Sequence, residues 1–445
     1  MIQFIQESTL IVKLLYIITT FLSGLYIYKK IRNRKYIFSI FNIGVYIFLF
    51  TVIFIGPFQY ADSAWNALGY HESSMFYKYL NKEMIISLVG LIVFLSVLIY
   101  MEFRDEDFIK LDNCISNLSL NINEKSVLLI NIIVVIAWYG LIGITIKSLP
   151  VFGHRTFAES FGVQPIYIAL NTCISIFLIY YGFKYVISKK PLYILPIVVN
   201  GFTSFATGNR GPLLMGILSI VIIYMYIKYH DSLKINVFIL AAGIAVLVLG
   251  MGMSIIRDGG HINNYGKLFN DIAYGNTFSD VRDGSYVLYG FNQKYDTFLY
   301  GKNYLADLMS FVPSSMSDFR STWSYGAFST NTLFGWEGHY GLRGGWFLQP
   351  YINFGYIGVI ASSILYGLTI AYLEKFFYKN IICKEYDSEI ISNKLIITNT
   401  LCTVSSFILV SSAGAQYYIS VILIISLILV SIRFNIKNYK KYKVR

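Results

Sequence analysis

Charge is what this chain lacks. Only 13% of its 445 residues are Asp, Glu, Lys or Arg, about half the roughly 25% of a soluble domain. That shortage excludes a cytosolic enzyme, a disordered chain and a nucleic-acid-binding domain, although the net charge is +12. Cysteine is scarce as well: Cys114 and Cys383 fall in polar stretches, Cys173 and Cys402 in apolar ones. None lies within residues 255–345, so no disulfide framework is available to that long polar segment. There is no His-Glu-x-x-His pattern and no Cys/His cluster, so no catalytic metal and no cofactor is expected. A Walker or Gly-x-Gly-x-x-Gly phosphate loop is also missing, which argues against nucleotide-driven chemistry.

What remains is apolar. Hydrophobic residues make up 56% of the chain and aromatics 17%, and the mean hydropathy is +0.58. A membrane span needs about 20 apolar residues. Runs of that kind stand at about 10–28, 36–56, 84–101, 127–146, 165–187, 191–206, 213–229, 235–254, 346–373, 395–411 and 417–432. The run at 191–206 carries Pro196 and Asn200, a break that neighbouring helices are able to satisfy. The first run has no basic segment before it and no small-residue cleavage site after it, so it reads as an uncleaved span. The expectation is an all-α polytopic membrane protein of about eleven transmembrane helices.

Lys and Arg then set the orientation. Lys29, Lys30, Arg32, Arg34 and Lys35 follow the first run and place that connection inside the cell, with the N-terminus outside. Alternating onward, the inside segments hold 23 Lys and Arg, among them a tail of six from Arg433 to Arg445, and the outside segments 12. Seven of those 12 lie in one long loop, which counts little for orientation. The organisation expected is therefore eight spans in residues 1–254, a large exterior segment at 255–345, and three spans with a basic cytoplasmic tail at 346–445.

Arginine is distributed unevenly. Inside, five of the 23 basic residues are Arg; outside, six of 12 are: Arg155, Arg210, Arg257, Arg282, Arg320 and Arg343. Lys suffices for topology, whereas the planar guanidinium fork suits bidentate binding of phosphate or carboxylate. An exterior ring of guanidinium groups at membrane level is a seat for a lipid-linked phosphate; snorkelling to headgroups is the plainer reading.

The segment 255–345 is too long for a simple connection. It holds Trp323 and Trp336, with Trp346 at its edge, and eight of the 24 acidic residues: Asp258, Asp271, Asp280, Asp283, Asp296, Asp307, Asp318 and Glu337. Aromatics among Gly, Asn and Asp make a sugar-binding surface, or fold the loop onto the membrane interface, where Trp and Tyr concentrate. Shorter features fall on the same side. Gly153-His154-Arg155 follows the fourth run; Thr207-Gly208-Asn209-Arg210-Gly211-Pro212 is a tight turn whose glycines admit a ligand to the backbone; Arg257-Asp258-Gly259-Gly260 closes the eighth run. The strongest pattern is Gly341-Leu342-Arg343-Gly344-Gly345-Trp346, running straight into a span whose first turns carry Gln349, Tyr351 and Asn353. Polar groups in a span are costly and face the protein interior, and a helix N-terminus favours an anion.

These features together resemble the O-antigen polymerase (Wzy-type) family of oligosaccharide repeat-unit polymerases. The resemblance rests on the span plan with one dominant late loop, on Asn209-Arg210-Gly211, and on Tyr351-Ile352-Asn353-Phe354-Gly355-Tyr356-Ile357-Gly358. Related sequences often carry an acidic residue two before that Tyr, where this chain has Gln349. The resemblance implies a GT-C-like glycosyltransferase of the bacterial inner membrane, active at its periplasmic face. Such an enzyme transfers a growing glycan from undecaprenyl diphosphate to the sugar end of an incoming lipid-linked repeat unit, and a chain-length regulator is an implied partner. On this reading Arg210, Arg257, Arg343 and Arg155 hold the leaving diphosphate. His339, Asp258, Glu337 and His154 are the candidates for the base that takes the acceptor proton. Trp323, Trp336, Tyr351, Asn353 and Gln349 meet the sugars. An O-antigen ligase shares donor and architecture; a lipid-linked oligosaccharide flippase would show an internal repeat and polar residues deep in many spans.

Overall fold

The computed structural model describes residues 8–34, 37–39, 41–59, 73–103, 124–145, 164–206, 210–229, 233–257, 278–312, 314–336 and 341–377. The helices in chain order are α1 (Leu10–Arg34), α2 (Ile43–Leu49), α3 (Ser73–Phe103), α4 (Glu124–Thr145), α5 (Gln164–Ser188), α6 (Ile194–Ala206), α7 (Arg210–Tyr229), α8 (Lys234–Arg257), α9 (Asp280–Lys294), α10 (Lys302–Leu308), α11 (Asp318–Trp323) and α12 (Leu348–Phe377). No strand occurs among the described residues. Among the described residues five helical stretches are long and apolar enough to cross a membrane: Leu10–Asn33, Met75–Glu102, Glu124–Ile142, Ala169–Ser188 and Leu348–Lys375. This is the build of an α-helical membrane protein, and each stretch coincides with an apolar run in the sequence. The runs at 395–411 and 417–432 lie outside the described residues.

The chain divides into two compact units, each assembled from separate stretches of sequence. One collects residues 106–261, 375–404 and 415–445. Its core joins Trp138, Ile142, Phe177, Tyr180, Tyr181 and Tyr193. Trp138 is fully buried and its indole N–H donates to Asn171 Oδ1 at 2.7 Å, which satisfies the one donor a buried Trp carries. Glu124 at the start of α4 accepts the Tyr193 hydroxyl and faces Lys184 at 3.8 Å.

The other unit collects residues 1–105, 262–374 and 405–414. Within it α1 and α9 both pack on α3. Lys30 on α1 and Glu374 on α12 form a buried ion pair at 2.5 Å, and Ser39 and Tyr26 also donate to that carboxylate. The stretch from 278 onward is no loose exterior loop: Val281 to Phe291 of α9 are all buried. Gly284 makes this packing possible, because a Cβ there would stand 2.9 Å from Glu83 Cδ of α3.

α12 is not one straight span. Gly355 has φ 64° and ψ −152°, a conformation that essentially only glycine adopts, and it divides a half-helix, Leu348–Phe354, from the longer rod that follows. The half-helix folds back far enough that the Pro350 carbonyl oxygen lies 2.4 Å from where a Cβ on Gly358 would be. Ending a helix strands its last carbonyls. Here Ile352 and Asn353 recover partners from the N–H groups of Leu299 and Tyr300, each at 3.0 Å.

Candidate active site

Four acidic side chains converge in the second of these units, and they come from three helices: Glu83 from α3, Asp280 and Asp283 from the first turn of α9, and Asp307 from α10. Carboxylates in a first helical turn complement the N-terminal dipole, which accounts for Asp280 and Asp283. The Ser279 hydroxyl donates to Asp283 Oδ2 at 2.6 Å, and Arg282 donates through Nε and Nη2 to Oδ1 at 3.2 and 3.1 Å. Asp283 also accepts the backbone N–H of Arg343, so this one carboxylate fastens α9 to the Gly-rich turn at 341–345.

That turn is seated from below by Tyr325–Ala327. The N–H of Leu342 donates to Ser329 Oγ at 3.0 Å, and a Cβ on Gly341 would lie 2.8 Å from Gly326 Cα. Asp307 accepts the Tyr325 N–H at 3.3 Å on Oδ1 and the Gln349 amide at 3.2 Å on Oδ2. Glu83 accepts the Ser87 hydroxyl at 3.1 Å on Oε1. Among the described residues three buried oxygens in this cluster have no hydrogen-bond partner: Glu83 Oε2, the Tyr325 hydroxyl and Gln349 Oε1. Groups of that kind are rare in a finished interior and mark a place where something else binds or a proton resides.

Burial controls the charge states. It pushes Asp280 up to about 6, with the Arg343 guanidinium opposing and Asp283 adding to the rise. It pushes Asp307 up to about 8 against the pull of the Tyr325 N–H, the Gln349 amide and Arg320. Asp283 is raised by burial against Arg282, Ser279 and the Arg343 N–H. Burial and then the charges of Glu83, Asp280, Asp283 and Asp307 hold the Tyr325 phenol well above its ordinary range. The arrangement is graded: Asp280 is partly exposed and titrates near neutrality, Arg343 beside it is exposed, and neutral donors stand behind. A carboxyl of that kind beside a guanidinium is equipped to take a proton from a hydroxyl next to an anion.

The residues expected from sequence fall in several places. Arg343 is in this cluster. Gln349 is buried, and its amide donates to Asp307 Oδ2 of another helix at 3.2 Å. Asn353 is buried, and its amide serves the helix break, donating to Asn303 Oδ1 at 3.1 Å and to the Gln349 carbonyl at 2.9 Å, while its oxygen accepts Gly301 N–H at 3.0 Å. Tyr351 is buried, with its ring edge-on to Tyr356 at 5.2 Å and Lys82 Nζ 5.4 Å from its centroid. Trp323 stacks on Phe328 at 5.8 Å and carries Lys302 Nζ at 4.5 Å; Trp336 stacks on Phe334 at 4.8 Å. Arg210 opens α7 and Arg257 closes α8, their side chains lying outside what is described. His154, Arg155, Asp258, Glu337 and His339 lie outside the described residues.

Sequence reasoning passed over Glu83, Tyr325 and the pairing of Asp280, Asp283 and Asp307. A signal existed in Ser279-Asp280-Val281-Arg282-Asp283, an acid-base-acid set at a helix start, and in a Glu at the very edge of an apolar run. Among the described residues no three His, Cys, Asp or Glu side chains are placed to hold a metal ion. Comparison of this chain with protein-family models, with curated proteins and with solved structures finds no match.

Proposed function

We propose that this chain is a membrane glycosyltransferase that polymerises lipid-linked oligosaccharide repeat units, with an eleven-span, GT-C-like architecture and its active face on the periplasmic side of a bacterial inner membrane. The observation that carries the reading is Asp280, a partly exposed carboxyl titrating near neutrality beside the exposed Arg343 of a Gly-rich turn. Asp280 takes the proton of the acceptor hydroxyl as its oxygen attacks the anomeric carbon of the donor. The bond from that carbon to the diphosphate oxygen breaks, and the electron pair leaves on the undecaprenyl diphosphate. Arg343 meets the charge that develops there; Arg210, Arg257 and Arg155 are the other candidates for holding a diphosphate. Trp336, stacked on one face by Phe334 and part-exposed, supplies ring surface to the sugars, and a regulator of chain length is a partner of the enzyme. His339, Asp258, Glu337 and His154 are the alternative candidates for the base.

The test is the surface glycan ladder of a deletion strain complemented with wild type, Asp280→Asn, Arg343→Ala or Arg343→Lys at matched membrane levels, with His339→Ala alongside. Ladders reduced to a single capped repeat unit in Asp280→Asn and Arg343→Ala, not restored by Lys, are expected. Full ladders in both variants overturn the assignment. A deletion strain with no repeat unit at all on its surface replaces the reading with a ligase or a flippase.

A further inference from the structure

A second feature lies outside the reaction just described. The segment 298–305 is laid directly over the break in α12. Its backbone donates to the freed carbonyls of Ile352 and Asn353, the Tyr304 ring stacks on Phe354 at 6.3 Å, and Phe298 Cζ stands 2.8 Å from where a Cβ on Gly355 would be. Tyr300 holds φ 48° and Gly301 φ 89°. A left-handed Tyr is an outlier kept only where its surroundings demand it, and here it sets the side chain outward.

The outward side is apolar. Tyr300 is 72% exposed and Leu305 55%; on α12, Phe354, which Gly301 and Tyr304 of the segment meet, and Ile357, 80% exposed, are open as well. Beyond the break Ile360, Ile364 and Leu368 are exposed too, and their spacing from Ile357 puts them along one face of the helix. The polar side chains of the segment turn the other way: Lys302 reaches Trp323 and Asn303 bonds the Trp323 carbonyl at 2.7 Å. After the break, the rod from Tyr356 to Lys375 has a length of about 30 Å, the thickness of the hydrocarbon core. Tyr356 therefore stands at one boundary of that core, and segment 298–305 packs at the same level. Irregular backbone is tolerated there when its polar groups are paired, as those of Leu299, Tyr300 and Gly301 are.

We infer that segment 298–305 is an interfacial wedge sunk into the bilayer, with Tyr300 and Leu305 in contact with lipid acyl chains. It rests on packing and exposure and stands independently of the reaction proposed above.

Tyr300→Cys, Leu305→Cys and, as an aqueous reference, the exposed Asp318→Cys are labelled with a thiol-reactive bimane in the full-length protein. The unsubstituted protein, labelled alike, sets the background. In phosphatidylcholine vesicles brominated high on the acyl chain, labels at 300 and 305 are quenched about twofold or more over the label at 318, and aqueous iodide quenches them less. Iodide quenching equal to that at 318, without quenching by brominated lipid, overturns the wedge. The unsubstituted protein gives an independent reading: a lipid-borne diazirine marks the tryptic peptides 295–302 and 303–320, and unmarked peptides overturn the wedge.

Discussion

The phenol oxygen of Tyr325 lies 2.2 Å from the point a Cβ on Gly344 would occupy. Glycine at 344 is thus the room in which that hydroxyl sits, buried and without a hydrogen-bond partner among the carboxyl groups. Gly344→Ala forces Tyr325 out of place and also meets Leu348 Cδ2 at 2.4 Å. A loss of about 1–3 kcal/mol is expected, the usual cost of overpacking a filled site. Tyr325→Phe removes the tighter of the two clashes, so the double variant regains part of that loss. Thermal unfolding of the four proteins in one detergent measures the coupling; strictly additive effects would show that the two positions do not touch.

Gly355 carries a different constraint, in its own backbone. With φ 64° and ψ −152°, any side chain is strained, and Phe298 blocks the space besides. Gly355→Ala is expected to cost on the order of 1–3 kcal/mol or more and to lower the yield of monodisperse protein. Gly140 in α4 is the control, since among the described residues nothing lies within 4 Å of a Cβ there. Gly140→Ala in a helix interior gains about 0.5–1 kcal/mol by the same comparison of backbone freedom. Equal behaviour of the two variants would remove the break from α12.

How much of this was legible in the sequence depends on which physical signal each element carries. The long apolar helices α1, α3, α4, α5 and α12 announce themselves, because lipid demands an unbroken run of about 20 apolar residues. The break within α12 does not, since Gly355 sits among apolar neighbours and its positive φ is a tertiary outcome. Lys30 illustrates the same limit for charge. It counts toward the cytoplasmic cluster after the first run, yet the fold buries it against Glu374, 344 positions away. The site is legible in part: Arg343 and Gln349 stand out from a Gly-rich turn running into a span. Their partners Asp283 and Asp307 come from a segment whose eight acids look alike until α9 is seen packed on α3. Tyr325 is one of 38 tyrosines, and only the space at Gly344 sets it apart.

The raised carboxyl groups give the protein a particular pH dependence. Asp307 releases its proton near 3.8 in the ordinary state and at about 8 in the fold. The unfolded chain therefore loses that proton first, and stability falls as pH rises across this window, levelling above about 8. Asp280, raised to about 6, adds to the fall over its lower part. A protonated Asp307 also donates to Gln349 Oε1 once that amide turns over, which satisfies the unpartnered oxygen. Asp307→Asn preserves this geometry without a titrating group, so its melting temperature is expected to decline less from pH 5 to pH 8 than that of wild type. Parallel curves would place the proton elsewhere. The transfer reaction proposed above has the opposite slope, because it uses Asp280 as a base only when ionised: on that proposal activity declines as pH drops through about 6, and a wild-type profile flat from pH 5 to 7 removes Asp280 as the base.

Lys30 and Glu374 offer the sharpest test of the packing between α1 and α12. Both are buried, at 0% and 1% exposure, and 2.5 Å apart. An ion pair in such a place stabilises little against an apolar pair of the same volume, because two charges have been taken out of water. Removing one member is another matter, since the survivor is left as an uncompensated charge. Lys30→Met is expected to cost about 3–5 kcal/mol and to lower the melting temperature and yield together. Glu374→Gln added to it removes the stranded charge while keeping an acceptor for Ser39 and Tyr26, which both donate to position 374. The double variant then recovers most of the loss, so that neutral Lys30→Met, or a double variant worse than the single one, would mean the pair does not bind α1 to α12.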